Sequence, residues 1–174
     1  MSNSSESNPM RVIRLEKVVL NMGVGRSGAA IETAQRALEQ ISSKKPTTRN
    51  AKSAQRDWGV RKGEPIGVSV TLRQDTAVSV LKRLFEAKGN IIKSKSFDNF
   101  GNYSFGIREH IDIPNVKYDP KIGILGLDVS VTLTRPGFGI RFRSRRKARI
   151  GKGHTISSQE AKNFLMEKFG VELE

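Results

Sequence analysis

Cysteine is absent from this 174-residue chain, so neither a disulfide framework nor a thiolate metal site is open to it. Only two histidines are present, His110 and His154, which argues against a histidine-based metal site. No apolar run approaches the roughly 20 residues that span a bilayer. Met1 to Pro9 is a Ser/Asn stretch without the apolar segment of a secretory signal, and residues 1–10 read as a short disordered tail. Acidic residues are the other shortage: 17 Asp and Glu stand against 31 Lys and Arg, a formal charge of +14. The remaining composition, 36% hydrophobic, suffices for a single core, so residues 11–174 are expected to form one domain.

The excess charge is gathered in two places. Residues 44–62 hold Lys44, Lys45, Arg49, Lys52, Arg56, Arg61 and Lys62 against one acid, Asp57. Residues 135–153 hold Arg135, Arg141, Arg143, Arg145, Arg146, Lys147, Arg149 and Lys152 with no acid at all. Outside these windows the chain carries 16 basic and 16 acidic residues and is neutral. One charge run by itself reads as a solvated face. Two on a neutral scaffold point to a polyanion, because binding one relieves their mutual repulsion.

Hydrophobic periodicity predicts an α+β fold. Arg14–Met22 reads as a strand, and Ala29–Ser42 as a helix with Ile31, Ala34, Leu38 and Ile41 on one face. Thr47–Ser53 is polar and basic but compatible with a strand. Ile66, Val68, Val70 and Leu72 alternate with small or polar residues, as do Leu127, Val129, Val131 and Leu133. A second helix, capped by Asp75, carries Val78, Leu81, Leu84 and Phe85 and stops at Gly89. Tyr103–Arg108 is a short strand. A last helix starts at Ser157, which has capping-box spacing to Glu160, buries Phe164, Leu165 and Phe169, and stops at Gly170. Such alternation implies a mostly antiparallel sheet with helices on one face. The other face, rich in Thr, Ser, Arg and Gly, suits RNA.

Gly23–Gly28 spells GVGRSG between a strand and a helix, the setting of a dinucleotide fingerprint. The acid that should follow about 20 residues later is missing, and SSKKPTT stands there instead. The motif therefore reads as a plain glycine turn into a helix; a middle reading has its backbone N–H groups and Arg26 touching a phosphate, as helix N-termini can. No cofactor is expected. Glu109, His110 and Asp112 lack a nucleophile and read as a solvated strand end, so no catalytic residue is assigned and no enzyme is expected. In Lys44–Lys62, hydroxyl and amide side chains accompany the cations, a mixture suited to phosphate, sugar and base edges. Trp58 lies in the long hairpin loop Ala54–Pro65; packing against the base of the hairpin is favoured over stacking on a base. Arg141–Arg149 (RFRSRRKAR) is the densest run, of a kind that often stays flexible until it meets RNA. Its sparse apolar content makes it a poor membrane helix.

Six blocks recur in order in a known family: VVLNMGVG (18–25), ISSKKPTTRNAKS (41–53), GEPIGVSVTLR (63–73), SFDNFGNYSFGI (96–107), YDPKIGILGLDV (118–129) and TRPGFGIR (134–141). In these the chain resembles universal large-subunit ribosomal protein family five, in its archaeal form. The resemblance implies an RNA-recognition-like fold in the cytoplasmic ribosome that attaches 5S rRNA in the central protuberance beside large-subunit rRNA and neighbouring 5S-binding ribosomal proteins. It also implies contacts with peptidyl-site (P-site) tRNA through the hairpin loop, and with small-subunit ribosomal protein thirteen at an intersubunit bridge. The rRNA-binding candidates are Asn21, Arg26, Lys44, Lys45, Thr47, Arg49, Lys52, Thr71 and Arg73, together with Arg141, Arg143, Arg145, Arg146, Lys147 and Arg149. The tRNA candidates are Arg56, Arg61 and Lys62. The family often has glutamine where Lys44 stands and Thr-Lys where Arg49 and Asn50 stand, which exchanges a base-edge contact for a phosphate contact. The rival reading is a free-standing RNA chaperone or processing factor; a basic membrane-surface protein is a third.

Overall fold

Alternation of large apolar with small polar residues divides the two faces of a sheet. The computed structural model describes residues 8–25, 27–116, 118–120 and 122–174. Its strands are β1 (Arg14–Gly23), β2 (Thr47–Asn50), β3 (Pro65–Leu72), β4 (Ile91–Ile92), β5 (Tyr103–Ile107), β6 (Leu127–Thr134) and β7 (Glu172–Leu173). Five of them form one antiparallel sheet in the order β2-β3-β1-β6-β5. A separate parallel pair joins β4 to β7. Helices α1 (Ala29–Ser42), α2 (Gln74–Ala87) and α3 (Ser158–Phe169) complete the expected α+β architecture.

The core lies between the helices and one face of the sheet. Val18, Leu20 and Met22 of β1, Val68, Val70 and Leu72 of β3, and the four alternating apolar residues of β6 are all buried. Helix α1 buries Ile31, Ala34, Leu38 and Ile41 as its 3.6-residue spacing predicts, and Ala37 as well. In α2 the buried face is Ala77, Val80, Leu81, Leu84 and Phe85, with Val78 only half-buried. The Phe85 ring meets Phe105 at 5.5 Å between centroids and, edge-on, Phe169 of α3 at 5.4 Å. Full burial of such a ring contributes about 1.5–3 kcal/mol.

Several expected boundaries move. Helix α2 begins at Gln74, and Asp75 lies in its first turn, where its charge favours the helix N-terminus without capping it. The Thr76 hydroxyl donates back to the Arg73 carbonyl at that end. In α3 the capping box forms between Ser157 and Glu160, but Ala161 and Leu165 are the buried residues, while Phe164 and Phe169 are half-buried. Ala161 sits under the 98–102 turn, where a Cβ on Gly101 (φ +76) would come within 2.6 Å of Ile156. Of the expected N-terminal tail, residues 1–7 lie outside the described residues. Asn8 caps a 3-10 turn, Pro9–Arg11, and Arg11 donates to the Gly153 carbonyl at 3.3 Å.

Candidate nucleic-acid interface

With the helices on one face, the residues between the buried ones must point the other way. Register assembles them into rows. Ser69 of β3 stands opposite Thr47 on one side and Asn21 on the other, and Asn21 stands opposite Asp128 of β6. In the next row Thr71 faces Val19, which in turn faces Ser130. Arg49, opposite Gly67, donates from Nε to the Ser69 hydroxyl at 2.6 Å. The open face therefore brings Asn21, Thr47, Arg49 and Thr71 together from three strands separated in sequence. Ser69, Ser130 and Asp128 belong to this face too. Period-two spacing puts them on this face in the sequence as well, but none was singled out there as a site residue, and Ser69 is buried where it accepts from Arg49.

Arg73 follows Thr71 on the same face. Its guanidinium approaches Glu16 at 3.7 Å, and Glu16 occupies a register shift between Leu15 and Lys17, a bulge that re-aims the side chain. Lys44 and Lys45 sit in the turn from α1 to β2, and Lys52 just beyond β2; all three are exposed. That turn is fixed by Ser42, whose hydroxyl donates to the Leu38 carbonyl at 2.6 Å and accepts from the Lys44 amide at 3.3 Å. Since β2 is the outer strand, the first basic window runs along one edge of the open face.

The long loop between β2 and β3 is itself hairpin-like. The Gln55 and Val60 backbones exchange hydrogen bonds of 2.9 and 3.0 Å, closing a tight turn with Gly59 at φ +66. Glu64 anchors its base, accepting from the Arg61 amide at 2.9 Å and the Ser27 hydroxyl at 2.6 Å. Those two donors, the Arg61 amide foremost, hold the Glu64 carboxyl below its ordinary pKa. Arg56, Arg61 and Lys62 are exposed. The favoured packing of Trp58 does not occur: the residue is 79% exposed. Residues 52–59 are all exposed, so neither the ring nor anything else packs over the turn.

The second basic window is not uniform. Arg135 is buried, its side chain only 4% exposed, and it pairs with Glu160 at 2.7 Å while donating to the His154 and Thr155 carbonyls. It is a structural cation tying the end of β6 to the start of α3. Arg141, Arg143, Arg145, Arg146, Lys147 and Arg149 are exposed. Their segment leaves a 3-10 turn, Phe138–Arg141, and doubles back, with the Ala148 amide reaching the Ile140 carbonyl at 3.3 Å and Arg143 Nε the Arg146 carbonyl at 2.8 Å.

Two other motifs resolve structurally. The glycine turn at 23–28 leads from β1 toward α1, but the strand after that helix, β2, pairs with β3 and not with β1, so the adjacent parallel pair of a dinucleotide site does not form. The Val24 and Gly25 amides both donate to the Ile66 carbonyl. Those two amides are thus committed within the protein and do not serve a phosphate. Arg26 lies outside the described residues. His110 is no solvated strand end: it is fully buried, and its Nδ1 accepts from the Leu125 amide at 3.3 Å.

Comparison with known proteins covers nearly the whole chain. Residues 8–61 match the family described as ribosomal protein L5, and residues 65–171 match the C-terminal region of that ribosomal family. The chain is 71% identical over 171 residues to large ribosomal subunit protein uL5 of Nitrosopumilus maritimus, covering 98% of each chain. It is 64% identical to the protein of the same name from Cenarchaeum symbiosum, covering 94% of this chain and 97% of the relative. With that of Sulfurisphaera tokodaii it is 49% identical, over 98% of this chain and 97% of the relative.

Proposed function

Because the chain belongs to the ribosomal protein L5 family, a non-enzymatic constituent of the large subunit of the cytoplasmic ribosome, we propose that its open sheet face binds 5S rRNA and helps attach it in the central protuberance. The observation that carries this reading is the convergence of Asn21, Thr47, Arg49 and Thr71 on one helix-free face, bordered by Lys44, Lys45 and Lys52. Neutral hydroxyl and amide groups in the middle read shape and base or sugar edges, while cations at the rim neutralise phosphates. Arg73 extends the same face. Arg26 joins the proposed rRNA-binding set as the cation of the glycine-rich 23–28 motif.

The basic hairpin loop, with Arg56, Arg61 and Lys62, extends beyond the paired strands and is assigned to P-site tRNA. Exposure of Trp58 at its turn supports a stacking role there. Arg141, Arg143, Arg145, Arg146, Lys147 and Arg149 are assigned to large-subunit rRNA. Further partners on this reading are neighbouring 5S-binding ribosomal proteins and small-subunit ribosomal protein thirteen. Pull-down of the full chain from total RNA, followed by sequencing of what is retained, tests the central assignment. Enrichment of 5S rRNA is expected, and its absence among retained RNAs refutes the assignment.

A further inference from the structure

Where the arginine-rich arm crosses the end of the open face, it borders a cavity of about 820 Å³. Lys17 of β1 and Thr132 of β6, paired in register, line its sheet side. This volume falls within the roughly 300–1,000 Å³ of sites that enclose small-molecule-sized ligands. Two of its rings are unusually free: Phe142 is 63% and Phe100 59% exposed. A third, Phe138, is held edge-on to His154 at 5.6 Å between centroids and gives the arm a fixed root.

Charge decides what such rings are for. Lys17, Arg141, Lys147 and Arg149 all line the cavity. Among the described lining residues the one acid is Glu16, already engaged by Arg73 at 3.7 Å. The Arg141 guanidinium lies over one face of the Phe142 ring, 5.7 Å from its centre, so a phosphate-binding group sits beside a ring that is still 63% exposed to a base. An apolar side chain from a protein partner would cover the rings but leave four cations unanswered. A duplex would answer the cations but keep its base faces hidden. A single-stranded nucleotide satisfies both, with its base against phenylalanine and its phosphate on arginine.

We infer that this cavity captures an unstacked base of a single-stranded RNA segment, with Phe142 and Phe100 as stacking surfaces and Arg141 and Arg149 as phosphate ligands. The inference rests on the RNA-binding reading above and gives the arginine-rich arm a ligand class of its own.

The test uses the full chain and a single-stranded oligoribonucleotide of about eight nucleotides carrying one 2-aminopurine, a length within the known range of single-strand sites. Stacking should quench the 2-aminopurine fluorescence on binding. Phe142→Ala and Phe100→Ala should each abolish much of the quenching and weaken binding about fivefold or more, the lower bound for loss of one base–aromatic stack. Phe142→Tyr, which keeps the ring, should restore both. Both phenylalanines are largely exposed, so folding is not at stake, and thermal melting checks it. Binding without quenching, or quenching unaltered by both alanine variants, overturns the inference and leaves the cavity to a protein neighbour. 5S rRNA binding by the unmodified chain is measured in parallel. Its failure overturns the underlying reading together with this one, whereas 5S binding with no quenching overturns this one alone.

Discussion

Asn21 and Thr71 carry no charge, yet they occupy the middle of the proposed RNA face, one half-buried and the other exposed. Their contribution must therefore come from hydrogen bonding and fit, without release of counterions. Asn21→Ala and Thr71→Ala are expected to weaken 5S rRNA binding by about 1–3 kcal/mol each while leaving the salt dependence unchanged. Filter binding at several salt concentrations reads both quantities, and a changed slope with unchanged affinity would contradict the assignment. Arg135 is the opposite case, a charged residue inside the second basic window that faces inward. Composition cannot distinguish it from Arg141, because burial is set by the docking of α3 and not by local sequence. Its partner Glu160 is 43% exposed. Burial raises the Glu160 pKa, but hydrogen bonds from the Ser157 amide and Arg135 more than offset this and hold it below its ordinary value. A depressed carboxyl contributes stability that is present above its unfolded value and lost as pH falls through its folded one. Glu160→Gln keeps the capping-box geometry but removes the charge from the hydrogen bond to Arg135, and with the carboxylate 43% exposed and screened by solvent it should lower stability by about 0.5–1 kcal/mol near neutral pH. Denaturation curves followed from neutral into acid pH should also lose part of the acid sensitivity of the unmodified chain.

At the scale of elements, legibility followed periodicity. The strands β3 and β6 and the face of α1 were readable because apolar residues recur at a fixed spacing in their sequences, and β1 because it is rich in apolar and β-branched residues. The β4–β7 pair was not, since two-residue strands have no period to detect and depend on where the chain end docks. Most of the candidate RNA-site residues were legible as types, but their convergence was not: Thr47 meets Asn21 only across Ser69, a matter of register. The favoured position of Trp58 failed for a similar reason, because nothing in the sequence says that the turn beneath it is bare. The β2–β3 loop is a projecting element whose own backbone hydrogen bonds define it. Replacing Gln55–Gly63 with a short glycine-containing turn should leave folding and 5S binding nearly intact, because the loop ends stay close across β2 and β3. Ribosomes carrying that variant should release P-site tRNA faster, as dissociation kinetics would read. Suppose instead that 5S binding falls as far as when Lys44, Lys45 and Lys52 are neutralised. The loop would then belong to the primary RNA site.

For the whole molecule, an excess of 14 positive charges is distributed as two basic segments around a neutral α+β body. One segment follows the outer edge of the sheet, and the other doubles back across the end of its open face. Such a molecule should bind its RNA through several phosphates at once, with discrimination added by the neutral groups between. The most direct measurement is the affinity for 5S rRNA, and for an unrelated RNA duplex of similar length, across a series of salt concentrations. Each neutralised phosphate should contribute about −0.9 to the slope of log affinity against log salt in duplex regions, somewhat less in single strands. A steep slope for both RNAs, with 5S rRNA bound much more tightly at every salt concentration, is the predicted result. Equal affinity for the two RNAs, or a flat titration for 5S rRNA, would contradict the account.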